Sequence, residues 1–149
     1  MPCTHAYVVS SAIAANNDLL YQCGQRPAYL SVYYHRSAAR SNDKGLWTVS
    51  RDEEVVRFYC AFDHGNGSPL YAGLWHIEND NTYLGEAKEL IAYFPAPVNP
   101  GENWHGYPFT FARRSPPDRI KALKDVAERL HRNGDLSLAR VKKIRQGDL

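Results

Sequence analysis

The chain has 149 residues, of which 44% are apolar and 23% charged, a size and composition typical of one globular domain and not of a disordered chain. No apolar run approaches the roughly 20 residues of a membrane helix, and the first residues lack the pattern of a signal peptide. The cysteines Cys3, Cys23 and Cys60 are far apart and lack zinc-ligand spacing. We therefore expect free thiols and a cytoplasmic protein.

The net charge of +2 is unevenly distributed along the chain. Residues 1–112 hold 7 basic and 11 acidic residues, whereas residues 113–149 hold 11 basic and 5 acidic residues. Such a separation creates a local electric field that the net charge conceals. The sequence predicts a single domain over 1–149, with an acidic sheet-rich body (1–94), a Pro/Gly-rich ordered connector (95–114) and a basic helical hairpin (115–149).

The first predicted elements are a strand and a helix. Residues 6–10 contain Tyr7, Val8 and Val9, which favour a strand. A helix is expected next, capped by Ser10 or Ser11, continuing through residues 13–21 and ending near Gly24.

Four further segments are predicted to complete the sheet. Residues 28–35 alternate with period two, and a short strand is expected at 46–49. Residues 55–62 and 70–78 flank a turn rich in Gly and Asn, which predicts an antiparallel pair. A last apolar run at 90–94 fits either a strand or a short helix.

The C-terminal third is predicted to form a connector and two helices. Four prolines and two glycines in residues 95–108 indicate an ordered connector. The run 115–118, Ser-Pro-Pro-Asp, predicts a helix start, and apolar residues then follow at helical spacing until Asn133 and Gly134 end the helix. The fold class predicted is α+β: an antiparallel or mixed sheet of about five strands, one N-terminal helix, and a C-terminal αα-hairpin packed on or beside the sheet.

The basic hairpin is the first candidate for function. Its second helix presents four cationic residues, Arg140, Lys142, Lys143 and Arg145. We predict a non-catalytic intracellular binding protein, of accessory, inhibitor or immunity type, that engages an acidic protein or nucleic acid through these residues and an aromatic sheet surface. One alternative is DNA or RNA binding by the C-terminal helices. Another is that the cationic residues form only the solvated face of a packed helix.

The second candidate is the turn Trp104–Pro108, with His105 and Tyr107, followed by Arg113 and Arg114. Trp104, Arg113 and Arg114 are predicted binding residues. In the alternative interpretation the protein is a small enzyme acting on a phosphorylated or nucleotide substrate. His105 would then be the acid–base group, with Tyr107, Arg113 and Arg114 beside it. The structural interpretation is that Trp104 and Tyr107 fix the connector to the sheet.

A metal or cofactor site is not predicted. His64, His76 and Asp63 flank the predicted hairpin, but a surface histidine and a half-buried histidine explain them better than a partial metal site. No nucleotide-binding, zinc-protease or hydrolase motif occurs. We expect no cofactor and no membrane partner, and the sequence does not give the oligomeric state.

Overall fold

The computed structural model describes residues 7–37, 44–112 and 114–149. The fold is α+β, as predicted, and the described residues contain six strands and three α-helices. The elements are, in chain order, β1 (Ser10–Ile13), β2 (Leu19–Gln22), β3 (Tyr29–Ser31), α1 (Arg51–Asp63), β4 (Leu74–Ile77), β5 (Ile91–Phe94), β6 (Tyr107–Phe109), α2 (Pro117–Arg132) and α3 (Leu138–Gln146).

The strands form two antiparallel three-stranded sheets, ordered β1-β2-β3 and β4-β5-β6, so the predicted single sheet of about five strands is wrong. A backbone bridge joins the first sheet to the connector that leads into β6. The Leu30 amide donates to the Trp104 carbonyl at 2.7 Å, and the Trp104 amide donates to the Ala28 carbonyl at 3.0 Å. The connector that was expected to lie between sheet and hairpin therefore also links the two sheets.

The predicted N-terminal helix is wrong, because this segment is the β1–β2 hairpin. Asn16 and Asn17 at its tip have φ values of 60° and 63°, and the Ala14 amide donates to the Asp18 carbonyl at 2.9 Å. Asparagine tolerates this left-handed conformation, which reverses the chain and would interrupt a helix. Ser10 pairs with Gln22 across the hairpin.

Residues 55–62, predicted as a strand, belong to helix α1. Ser50 caps this helix by accepting from the Glu53 amide at 3.2 Å. Val55, Phe58 and Tyr59 are fully buried at helical spacing, and this burial outweighs the period-two pattern in the sequence. The partner predicted for this segment, β4, pairs instead with β5, so the apolar run at 90–94 is a strand. Residues 46–49 contribute only a bridge from Trp47 to Gly85.

The C-terminal αα-hairpin is present as predicted. Pro116 occupies the N-cap position of α2, where Ser115 was expected. Ser137 caps α3 by accepting from the Arg140 amide at 3.2 Å, and Gly147 ends α3 with a φ of 73°.

The second sheet lies between two helical layers. Alternate residues of β5 point to opposite faces of the sheet. Ala92 and Phe94 pack with α1 and the first sheet, whereas Ile91 and Tyr93 pack with α2 and α3. This three-layer arrangement places the start of α2 directly over β6.

The prediction of free thiols holds for Cys23, which is buried and free, and is wrong for Cys60, which is disulfide-bonded. Cys3 lies outside the described residues. Within the described ranges, no helix has both the length and the apolarity needed to cross a bilayer.

Candidate functional site

The turn Trp104–Pro108 is held rigidly by its neighbours. The indole nitrogen of Trp47 donates to the Gly106 carbonyl at 3.0 Å. A methyl group at Gly106 would overlap the ring of Phe94, so only glycine fits there. Trp104, a predicted binding residue, packs with its ring 5.4 Å from that of Phe58 and contributes to the core.

A cavity of about 460 Å³ opens beside this turn, where β6 meets the first turn of α2. We name it the Arg119 pocket. Three of its lining side chains are cationic, one is a tyrosine, and the others come from the start of α2. The lining residues are Lys44, Tyr107, Arg114, Ser115, Pro116 and Arg119.

Tyrosine side chains surround the Arg119 guanidinium. Its central carbon lies 5.3 Å from the ring centroid of Tyr71 and 4.9 Å from that of Tyr93, both within cation–π range. Its terminal nitrogens donate to the hydroxyls of Tyr107 and Tyr71, each at a long 3.5 Å. Its buried Nε has no hydrogen-bond partner among the residues that the structure describes. The Arg119 guanidinium is therefore surrounded by tyrosine rings and can still donate hydrogen bonds to a further acceptor.

The neighbouring tyrosines stay neutral. Burial raises the pKa of Tyr93 to about 12 and raises the pKa of Tyr107 above its ordinary value. The Tyr93 hydroxyl donates to the Ala72 carbonyl at 2.6 Å, which fixes the ring beneath Arg119. Because both hydroxyls remain protonated near neutral pH, they place no negative charge beside Arg119, and Tyr107 adds a hydroxyl to the pocket wall.

Arg114 and Lys44 add positive charge to the same cavity. The Lys44 ammonium lies 5.3 Å from the centroid of the Tyr107 ring. Among the residues that the structure describes, neither Arg114 nor Arg119 forms an ion pair with a carboxylate. A concave surface with three cations concentrates a positive potential, and arginines bind phosphate or carboxylate oxygens through paired donors.

His105 lies next to a second histidine but not in the pocket wall. Its ring centroid is 5.9 Å from that of His35, whose ring is in turn 5.6 Å from that of Tyr107. Both ring nitrogens of His35 and the Nδ1 of His105 are buried, and they have no hydrogen-bond partner within residues 7–37, 44–112 and 114–149. Burial, reinforced by His105 and Lys44, lowers the pKa of His35 to about 3, and burial followed by Lys44 lowers the pKa of His105.

Both histidines are therefore neutral at neutral pH. A general acid–base must reach the proton that it transfers, and no carboxylate or hydroxyl in the described ranges bonds to His105. The arrangement makes His105 a packed neighbour of the pocket.

Of the residues predicted for this site, the structure brings Tyr107 and Arg114 together, and Arg113 lies outside the described residues. Arg119, Lys44 and Tyr71 were not predicted. In the sequence, Arg119 is one of several cationic residues on a predicted helix, and nothing in the pattern distinguishes it from the others. The packing of α2 over β6, which the linear sequence does not reveal, is what brings it to Tyr107.

Two of the four cationic residues predicted on the second helix of the hairpin make contacts within the protein. Arg140 is buried and donates to the Asp80 carbonyl at 2.8 Å. Arg145 forms a two-pronged ion pair with Glu128, at 2.5 Å and 2.7 Å. Lys142 and Lys143 remain exposed.

The residues considered for a metal do not converge. Nδ1 of His64 contacts the Cys60 carbonyl at 2.8 Å, and Asp63 accepts from Arg26 at 2.8 Å and 2.9 Å. His76 lies 3.4 Å from Glu78. The described part of the chain contains no group of three or more side chains arranged to hold a metal ion.

Comparison with known proteins does not assign a family or a function to the chain. No protein-family model, curated protein or solved structure matches the chain. The assignment of function therefore depends on the chemistry of the site itself.

Proposed function

We propose that the protein binds a small anionic ligand, a phosphorylated molecule such as a nucleotide, in the Arg119 pocket. The observation that carries the proposal is the partly buried Arg119 guanidinium, which tyrosines surround and which no described carboxylate neutralises. Removing a cation from water is costly unless an anion or several hydrogen bonds compensate for it. A bound phosphate would supply that compensation.

The donors in the pocket suit a phosphate group. Arg119 offers two weakly engaged terminal nitrogens, and Arg114 and Lys44 approach the same cavity. A volume of about 460 Å³ exceeds the space that one phosphate needs and falls within the range of roughly 300–1,000 Å³ for small-molecule sites. The proposed ligand therefore carries an organic group as well as the phosphate.

The proposal is for binding and does not include catalysis. The enzyme hypothesis for His105, Tyr107, Arg113 and Arg114 required an acid–base group facing the cavity. His105 does not line it, and its pKa is lowered by burial. Tyr107 and Arg114 keep a role as ligand-binding residues.

Binding of an acidic protein or nucleic acid to the helical hairpin is the second candidate function. The observation in its favour is the exposure of Lys142 and Lys143 on α3. Its support is weaker, because Arg140 and Arg145 already have internal partners and nucleic-acid affinity depends on the number of cations that reach phosphates.

The test is calorimetric titration with inorganic phosphate and with a nucleoside monophosphate. Arg119→Gln should weaken nucleotide binding by tenfold or more, on the order of 1.4 kcal/mol. Arg114→Gln should weaken it less, because Arg114 is exposed. The matched control is Arg132→Gln, an exposed residue at the far end of α2, which should bind as the unmodified protein does.

Thermal melts of each variant separate loss of binding from loss of folding. Should Arg119→Gln unfold, the exposed Arg114→Gln variant and Lys44→Gln still test the pocket. Equal affinity in all pocket variants, or the absence of saturable binding in the unmodified protein, would overturn the proposal. Loss of nucleic-acid binding in a Lys142→Ala/Lys143→Ala double variant, with the pocket variants unaffected, would favour the second candidate.

A further inference from the structure

A second cavity, of about 490 Å³, lies between α1, β4 and the turn that follows α2. It shares no lining residue with the Arg119 pocket. We name it the Glu78 cavity, and its walls combine three apolar side chains with polar and charged ones. The lining residues include Val56, Arg57, Asn66, His76, Glu78 and Leu130.

The charged groups around this cavity are mainly acidic. Glu78, Asp80 and Asp135 line it, and Arg57 is the one Lys or Arg side chain among its lining residues in the described ranges. Arg57 places both Nε and one terminal nitrogen on a single oxygen of Glu78, Oε1, at 2.9 Å and 2.7 Å. The other oxygen, Oε2, receives no hydrogen bond from Arg57.

Glu78 is ionised in this setting. Burial raises the pKa of its carboxyl, but the contacts with His76 and Arg57 outweigh burial and hold the pKa at about 2. Oε2 lies 3.4 Å from Nε2 of His76, a long approach in which that nitrogen makes no hydrogen bond. One charged oxygen is therefore available to a further donor.

The cavity wall also contains two buried polar side chains. Asn66 and His76 are only 7% and 8% exposed, and both line the cavity. The Asn66 backbone is fully used, because its carbonyl accepts from the Trp75 amide and its amide donates to the Ala61 carbonyl. Its side-chain amide has no hydrogen-bond partner in the part of the chain that the structure describes. Buried polar groups without partners are rare, and a bound ligand is one reason for them.

We propose that the Glu78 cavity binds an organic cation, a primary ammonium or guanidinium group on a short apolar carrier. The cationic group would donate to Glu78 Oε2 and to the carbonyl oxygen of the Asn66 side chain. Its carrier would pack on the apolar walls formed by Val56, Ile77 and Leu130.

Other ligand classes fit this cavity less well. An anion would meet the three carboxylates, and like charges repel strongly in a concave site. A metal ion needs converging ligands, and the described residues hold no such group. A sugar is usually held against the ring of a Trp, Tyr or Phe, and none of these lines the cavity among the described residues.

The test uses n-butylammonium and methylguanidinium as probes, with 1-butanol as the neutral counterpart. Two-dimensional ¹H–¹⁵N NMR of the full chain should show saturable shifts of the Asn66 side-chain amide and of Gly134, which also lines the cavity. Glu78→Gln should weaken binding by about tenfold or more, the scale expected when a buried charge partner is lost. Glu86→Gln, an exposed carboxylate away from the cavity, is the matched control and should have no effect.

Val56→Phe gives a second test that keeps the Arg57–Glu78 ion pair. The larger ring should fill part of the cavity and abolish binding even if Glu78→Gln proves unstable. Equal shifts with 1-butanol, unaltered affinity in both cavity variants, or non-saturating shifts spread over surface carboxylates would each overturn the proposal. Because the Arg119 pocket is untouched by these variants, phosphate titrations report on it separately.

Discussion

Acidification should destabilise the protein through His35. This side chain is 1% exposed, and its two ring nitrogens have no hydrogen-bond partner in the described part of the chain. A protonated imidazole there would be a buried charge beside His105 and Lys44, which is why the pKa is lowered from 6.5 to about 3. The unfolded chain takes up the proton near pH 6.5, whereas the folded chain resists it.

The sign and size of the effect follow from these two pKa values. The neutral ring contributes its full share of stability above pH 6.5, and this share is lost as the pH falls from 6.5 towards 3. Between pH 7.5 and pH 5 the loss amounts to about 2 kcal/mol, and the whole shift corresponds to between 4 and 5 kcal/mol, on the order of 1.4 kcal/mol per pKa unit.

The assay is urea denaturation at pH 7.5 and at pH 5, compared between the unmodified protein and His35→Phe. Phenylalanine is the suitable replacement because the His35 ring makes no hydrogen bond that would be lost. The variant should lose about 2 kcal/mol less on acidification than the unmodified protein does. His35→Leu serves the same purpose if the phenyl ring proves too large.

Protonation of His105 should also destabilise the folded protein, because the pKa of His105 is lowered by burial and by Lys44. The pH dependence of the His35→Phe variant should therefore shrink without vanishing. Identical pH dependence of the two proteins, or an imidazole of His35 that titrates near pH 6.5 by NMR, would refute the reasoning.

Two further substitutions test the packing around the sites. Gly106→Ala should lower the free energy of unfolding by about 1–3 kcal/mol, since the added methyl overlaps the Phe94 ring; urea midpoints measure this. Gly24→Ala is its control, because its methyl meets no atom and only the left-handed backbone costs about 1 kcal/mol. Glu54→Gln should cost roughly 3–5 kcal/mol, because Arg36, which donates to Glu54 at 2.7 Å, would lose the opposite charge that compensates its own. A loss below about 1 kcal/mol in either test variant would contradict the packing described.

The C-terminal hairpin could be predicted because its signals are local. A proline-rich start, an apolar stripe at helical spacing and the stop at Asn133 and Gly134 all act within one or two turns. The sequence of helix α1 does not show a clear helical pattern, because buried residues cover a wide part of the helix surface. Glu54, Val55, Phe58 and Tyr59 are all fully buried, so the polar and apolar residues do not separate cleanly.

The candidate sites were less accessible to sequence reasoning than the hairpin. The Arg119 pocket joins Lys44, Tyr107 and Arg119, which come from three separate segments. In the Glu78 cavity, the sequence predicts His76 as a half-buried core residue. Arg57 and Asn66 do not belong to any recognisable sequence motif. Such juxtapositions arise from the layering of helices on the second sheet, which periodicity does not determine.

The bridge between Tyr29 and Trp104 has a consequence for the order of folding. The backbone bonds from Leu30 and Ala28 to Trp104 join parts of the chain that are far apart in sequence. During synthesis from the N-terminus, β3 emerges well before Trp104 and lacks its outer partner until the connector follows. Closing so long a loop is slow, because the chain loses conformational entropy before the contacts between its two ends can stabilise it. Docking of Trp104 is therefore a late event, which gives β3 its outer partner and joins the first sheet to the connector.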